Sequence, residues 1–146
     1  MSNFGPSTVL NGRAPKWVGS YIAVPREVMR HENFSELSPK AAKLLMAIAT
    51  GFIGTNNGQL IATYPIMKTF GFNSKDSVST GLKELLAHGY LIVTRAQRKR
   101  DPAQYALSWY PIQPAMPGKP YDPGIVESDQ ASDNWRHVPH HTLVKS

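Results

Sequence analysis

The sequence predicts an α+β fold, and three observations support it. Apolar residues recur at helical spacing in two segments, 39–52 and 75–88. A shorter helical segment and a turn precede the second of these. Two strand-like segments follow at 90–95 and 104–109, and the loop between them is strongly basic. This order predicts a winged helix-turn-helix: a three-helix core with a small antiparallel sheet and a β-hairpin wing.

Length and composition are compatible with one domain of modest size. The chain has 146 residues, 41% of them hydrophobic, and five of its 12 prolines lie between residues 111 and 123. Prolines at that density prevent helices and central strands. We therefore expect a flexible N-terminal arm at 1–16, the winged helix-turn-helix domain at 17–110, and an extended or disordered Pro-rich C-terminal tail at 111–146.

The charge distribution favours an anionic partner for the folded part of the chain. The net charge is +6 and the pI is about 9.7. Residues 1–110 carry 13 Lys and Arg against six Asp and Glu, whereas residues 111–146 carry three against four. The basic character therefore belongs to the domain, which indicates nucleic acid or an acidic surface as its partner.

Several classes of site are not indicated. The absence of cysteine excludes disulfides, thiolate metal sites and cysteine nucleophiles. No segment has the apolar length of a signal peptide or a membrane span, so we expect a soluble, cytoplasmic protein without a membrane partner. The tail histidines (His137, His140 and His141) lack a carboxylate cluster, and no catalytic motif is present. We predict no metal, no cofactor and no enzymatic activity.

The segments before the predicted helix-turn-helix are expected to support it. A strand is predicted at Trp17–Val24, followed by a short helix that begins at Pro25. The core helix is predicted from Pro39 to Phe52, with Ser38 as its N-cap. A short strand at Gln59–Ala62 is expected to pair with the hairpin.

The predicted recognition helix runs from Lys75 to His88, after a first helix that begins at Thr63 and ends at Gly71. Its apolar stripe is Val78, Leu82, Leu85 and Leu86. The opposite face is small and polar, as expected for a helix that enters the major groove, although such faces are also common on ordinary exposed helices. The residues predicted to read bases are Asp76, Ser77, Thr80 and Lys83. Those predicted to contact the DNA backbone are Asn73, Ser74, Lys75 and Ser79.

The loop between the two strands is the predicted wing. Its candidate DNA contacts are Arg95, Gln97, Arg98, Lys99 and Arg100, and Asp101 alone opposes the four positive charges. A run of charge at a hairpin tip is usually only solvated. Its position directly after a helix-turn-helix favours docking on the DNA backbone or in the minor groove.

The chain resembles a family of small winged helix-turn-helix proteins encoded by phages, prophages, plasmids and integrated elements of Gram-negative bacteria. The resemblance rests on YIAVPREVMRHENFSELSPKAAKLLMAIA, NNGQL, SKDSVSTGLKELLAHGYLIVTR and YALSWYPI, in this order. It covers about Trp17 to Ile112, with a weaker similarity from KPYDPG through NWR. The family is often labelled as helix-turn-helix or replication-associated. The resemblance implies double-stranded DNA binding, with the helix after Ser74 as recognition helix and Arg95 to Arg100 as wing.

Two functions follow as expectations. The first is a sequence-specific DNA-binding protein, a transcriptional regulator or replication-control factor of a mobile element, located in the bacterial cytoplasm at the nucleoid. The alternative is a winged-helix module that binds a host or replication protein instead of DNA. A homodimer would extend the short site that one winged helix reads. In the polar tail, Tyr121, Ile125 and Trp135 are candidate anchors on the domain, or contacts for a protein partner.

Overall fold

The structure, a computed structural model, describes residues 19–137. Along these residues the elements are α1 (Arg26–Arg30), α2 (Glu32–Ser35), α3 (Pro39–Ala49), α4 (Tyr64–Lys68), α5 (Lys75–Ala87), β1 (Leu91–Arg95), β2 (Gln104–Leu107) and a 3₁₀ helix (Asn134–Arg136). The two strands pair antiparallel and pack against α5, and α3, α4 and α5 pack against one another. The predicted α+β class is confirmed.

The start of α3 is as predicted. The Ser38 hydroxyl accepts a hydrogen bond from the Ala41 amide at 3.1 Å, and Pro39 occupies the first turn, where its missing N–H has no cost. The helix ends at Ala49, three residues before the predicted end. Thr50 is the C-cap residue, and its hydroxyl donates to the Ala47 carbonyl at 2.6 Å.

The turn between α4 and α5 has the geometry that its glycine predicts. Gly71 has a φ of +97°, a left-handed conformation that side chains with a Cβ rarely adopt. Phe72 follows and is buried in the core. Further along α5, a Cβ on Gly81 would lie 2.7 Å from Leu44 Cδ2, so this glycine lets α5 approach α3 closely.

The sheet is smaller than predicted. The expected strand at 59–62 is reduced to one bridge, in which Leu60 and Tyr105 exchange hydrogen bonds of 3.1 and 2.8 Å. The second strand of the hairpin ends at Leu107, not at Trp109. A bulge at Thr94 interrupts the pairing of β1 with β2.

The strand predicted at Trp17–Val24 is wrong over its described part, because residues 19–24 form no strand. Trp17 and Val18 lie outside the described residues. Backbone groups at both edges of the sheet already have hydrogen-bond partners. Leu60 pairs beside β2, and the Asp122 amide donates to the Thr94 carbonyl at 2.8 Å. Ala23 is instead held by side chains, since its carbonyl accepts hydrogen bonds from the Trp109 indole and the Tyr110 hydroxyl.

The segment after the hairpin returns across the domain to the end of α5. Its 3₁₀ helix places Trp135 in the core with 2% of its surface exposed, edge-on to His31 at 5.5 Å. The side-chain Nδ2 of Asn33 donates to the carbonyls of Trp135 at 2.7 Å and His88 at 2.8 Å. Trp135 is thus confirmed as an anchor on the domain. The predicted arm at 1–16 and the last residues of the predicted tail, 138–146, lie outside the described residues.

Asn57 is the buried junction of the loop, the hairpin and the following segment. Its side chain is fully buried, and its Nδ2 donates to the carbonyls of Leu107, Tyr110 and Pro111 at 3.0 to 3.1 Å. Its Oδ1 accepts from the Leu107 amide at 2.7 Å. These contacts make Asn57 a structural residue.

Replacing Asn57 with alanine is expected to lower the free energy of unfolding by about 2–3 kcal/mol, because buried backbone groups lose their partners. Urea denaturation followed by circular dichroism measures this. The matched control is Asn56→Ala, since the Asn56 side chain bonds only within its own loop, to Ile53 and Gly51. An equal loss in both variants would contradict the role assigned to Asn57.

Candidate nucleic-acid interface

The first turn of α5 is fixed by its own serines. The Ser74 hydroxyl accepts from the Ser77 amide at 3.1 Å, and the Ser77 hydroxyl donates to the Ser74 carbonyl at 2.8 Å. Ser77 is half-buried, whereas Ser74 is exposed. The Ser74 hydroxyl therefore caps the helix, and the Ser77 hydroxyl bonds back to the same turn, so the remaining outer residues of α5 are the better candidates for base contact.

The outer face of α5 is exposed along most of its length. Its exposed members are Lys75, Asp76, Ser79, Thr80, Lys83 and Ala87, and all of them except Ala87 are predicted DNA contacts. Asn73, in the turn before the helix, is exposed as well. The face carries two lysines against one aspartate, and the other side chains on it are short.

Glu84 points away from this face. Its carboxylate accepts hydrogen bonds from the Ser38 amide at 2.5 Å and the Ser38 hydroxyl at 2.8 Å. A carboxylate at the N-terminus of α3 is favoured by the helix dipole. The negative charge of Glu84 therefore interacts with the start of α3 and does not contribute to the outer face of α5.

The tip of the hairpin is a closed turn. Arg98 and Asp101 exchange backbone hydrogen bonds of 3.0 and 2.8 Å, which places Lys99 and Arg100 at the corner. Both corner side chains are exposed, and within residues 19–137 neither forms an ion pair. They are the cations of the hairpin that are available to an anionic partner.

Arg95 belongs to the base of the hairpin. It is 7% exposed, and its Nη1 donates to the Pro120 carbonyl at 2.7 Å, while its Nη2 lies 3.5 Å from Asp101 Oδ2. Lys119 Nζ lies 3.2 Å from the other oxygen of Asp101. The hydrogen bond from Lys119, assisted by Arg95, lowers the pKa of the Asp101 carboxyl below its usual value. Of the predicted wing residues, Arg95 is therefore the one that lies away from the exposed tip.

Arg98 is paired with a carboxylate that the sequence analysis did not identify. Its Nη2 lies 2.6 Å from Asp122 Oδ1, and its Nη1 donates to the Ala96 carbonyl at 2.8 Å. The other oxygen of Asp122 accepts from the Ala96 amide at 2.7 Å. Arg98 first, and then the Ala96 amide, lower the pKa of Asp122 below its usual value. No local pattern identifies this pair, because 24 residues separate its members.

A groove of about 490 Å³ separates α5 from the hairpin. Lys75 and Ser79 lie on its α5 side, and Gln97 lies on its hairpin side. Its floor is mainly apolar and includes Val78, Leu82, Pro102, Ala103 and Tyr105. The groove therefore lies between the Lys75 and Ser79 side of α5 and Gln97, the residue that directly precedes Arg98 of the hairpin.

Two further lysines, missed by the sequence analysis, lie near the start of α5. Lys40 and Lys43 of α3 are exposed and share a hollow of about 330 Å³ with Asn73 and Ser74. Lys43 Nζ also lies 5.5 Å from the centre of the Phe72 ring. The helical stripe of α3 indicated that these lysines face outward, but only the packing of α3 on α5 places them beside the predicted DNA contacts.

Other kinds of site receive no support from the described residues. Residues 19–137 contain no group of three or more side chains that could hold a metal ion. In the same range, no helix is both long enough and apolar enough to cross a membrane. Of the three tail histidines, His137 lies within the described residues, and His140 and His141 lie outside them.

The chain gives no significant match to protein-family models, to curated proteins or to solved structures. The resemblance to winged helix-turn-helix proteins of mobile elements therefore stays a prediction.

Proposed function

We propose that this protein is a winged helix-turn-helix protein that binds double-stranded DNA through α5 and the hairpin. The observation that carries the proposal is the groove between them, which has Lys75 and Ser79 on one side and Gln97 on the other. Because both elements line one groove, a single ligand can contact the helix face and the basic tip together. A DNA duplex is large enough to contact both elements, and its negative charge complements their lysines and arginines.

The outer face of α5 suits a DNA groove. An α-helix with its side chains is about 10–12 Å wide, and the major groove of B-DNA is about 12 Å wide. Thr80 and Lys83 are exposed and can bond base edges, whereas Lys75 at the helix start suits a phosphate. Asp76 on the same face can accept from a cytosine amino group.

The remaining cations supply attraction that does not depend on sequence. Lys99 and Arg100 extend from the tip, and Lys40 and Lys43 lie beside the start of α5. With Lys75, these side chains can neutralise about four to five phosphates. The logarithm of the affinity should then fall with the logarithm of the salt concentration at a slope of about −3.6 to −4.5.

The biological role proposed is transcriptional regulation or replication control in a mobile genetic element, without enzymatic activity. This role rests on the sequence resemblance. A homodimer on a palindromic site would give the specificity that one short helix lacks.

Selection of bound sequences from a random duplex pool, followed by titration across a salt series, tests the proposal. We expect an enriched site and the slope given above. A flat salt dependence, or failure to bind any duplex at low salt, would overturn DNA binding. Capture of one defined protein under those conditions would instead favour the protein-interaction alternative.

Thr80→Ala and Lys83→Ala are expected to change which sequences are enriched, because these side chains face the bases in the proposal. Each should reduce discrimination at one or two base pairs by about 5- to 100-fold, the range for one lost base contact. Selection repeated with each variant measures this. The matched control is Thr55→Ala, an exposed threonine in the loop between α3 and α4. If both α5 variants enrich the same DNA sequence as the unmodified protein, Thr80 and Lys83 do not read bases.

A further inference from the structure

The segment after the hairpin places a carboxylate on one of the hairpin's arginines. Asp122 Oδ1 lies 2.6 Å from Arg98 Nη2, and this carboxylate also accepts the Ala96 amide. A carboxylate and a phosphate are alternative partners for a guanidinium, since both present two oxygens to its N–H groups. Asp122 thus occupies a position on Arg98 that a DNA phosphate could take.

The two arginines that bind carboxylates on the hairpin differ in exposure. The Arg95 side chain is 9% exposed, whereas the Arg98 side chain is 45% exposed and reaches solvent at the side of the tip. Of these two arginines, only Arg98 is therefore accessible to a duplex docked on the tip. An exposed ion pair is weak, so another anion can replace its carboxylate.

We infer that Asp122 is an intramolecular competitor of DNA for Arg98, so that the segment after the hairpin weakens DNA binding by the tip. This inference rests on the proposed function. In the free protein Arg98 is bound by Asp122, and the tip offers Lys99 and Arg100 alone. Binding by Arg98 requires the exchange of one oxygen anion for another, with no bond formed or broken in the chain.

Asp122→Asn is the variant that separates charge from structure. The amide oxygen can still accept the Ala96 N–H, and the Asp122 backbone amide that donates to Thr94 is unchanged. The carboxylate charge on Arg98 is lost. The matched control is Asp129→Asn, which removes the same charge from an exposed position of the same segment.

We expect Asp122→Asn to tighten binding to any duplex by about three- to eightfold at 0.1 M salt, since Arg98 no longer has to give up a carboxylate before it binds a phosphate. The salt slope should steepen by less than about 0.9, because in the complex of the unmodified protein Arg98 is shared between Asp122 and a phosphate. Asp129→Asn should change affinity by less than about twofold and leave the slope unchanged. In an Arg98→Ala background the excess gain of Asp122→Asn over Asp129→Asn should disappear, because the two residues act as a pair.

The outcomes distinguish this inference from the proposed function. If the unmodified protein binds no duplex, the proposed function fails. If it binds, but Asp122→Asn binds no tighter than Asp129→Asn, or if the gain persists without Arg98, only the competition fails.

A second measurement needs no variant and so does not depend on the folding of one. The carboxyl carbon resonances of Asp122 and Asp101 are followed by NMR while the unmodified protein is titrated with duplex. We expect the Asp122 resonance to move as Arg98 exchanges its partner. Asp101 should move less, because Arg95 and Lys119 hold it at the hairpin base. An Asp122 resonance that moves no more than that of Asp101 would overturn the inference.

Discussion

Replacing Trp135 with alanine is expected to lower the free energy of unfolding by about 3–5 kcal/mol, the range for truncating a buried aromatic side chain. Trp135 is 2% exposed and packs edge-on to His31, and the Arg136 guanidinium lies 4.4 Å from the centre of its ring. Its carbonyl accepts a hydrogen bond from the buried side-chain Nδ2 of Asn33. The substitution therefore leaves a cavity next to a buried polar group.

Urea denaturation measured by circular dichroism and by fluorescence checks this expectation. Trp135→Phe keeps an aromatic ring, so its free energy of unfolding should fall by about half as much or less. Val126→Ala is the control on the same segment, because Val126 is 70% exposed and its truncation should change stability by less than about 0.5 kcal/mol. A loss below about 1 kcal/mol in Trp135→Ala would show that the segment after the hairpin contributes little to the folded domain.

The elements that the sequence predicted well are those whose signals are local. The predicted N-cap Ser38 lies three residues from the amide that it binds. The glycine of the turn, Gly71, needs only its own backbone conformation to be recognised. The exposed face of α5 follows from the periodicity of its apolar stripe. For these features, the residues that determine the structure are neighbours in the chain.

The features that escaped prediction depend on distant partners. Ser38 and Glu84 are 46 residues apart, and Arg98 and Asp122 are 24 apart. Asp122 lies in a Pro-rich segment that the sequence assigned to an extended or disordered tail. Residues 19–24 have a composition typical of a strand but find no sheet edge to pair with, since tertiary contacts override propensity. The charge of the candidate site therefore depended on packing that no local pattern encodes.

The double substitution Lys99→Ala, Arg100→Ala is expected to weaken binding to every duplex by about 30- to 100-fold at 0.1 M salt. Each lost phosphate contact reduces affinity about eightfold at that concentration, and the salt slope should become shallower by about 1.8. These two cations lie at the corner of the tip without an ion-pair partner in the described part of the chain. Arg98→Ala should cost less, because Arg98 is already bound by Asp122.

The double variant Arg26→Ala, Arg30→Ala is the control for net charge. Both arginines are exposed on α1, which lies near Trp135 and the C-terminal end of α5, whereas the proposed DNA contacts of α5 lie toward its start. Binding to random and to selected duplexes, measured by fluorescence anisotropy, should fall uniformly for the tip variant and by less than about threefold for the control. Equal losses of affinity in the two double variants would mean that DNA binding depends on net charge alone. A loss confined to one sequence would mean that the tip reads bases. Only a uniform loss specific to the tip fits a hairpin that contacts the DNA backbone, with discrimination left to α5.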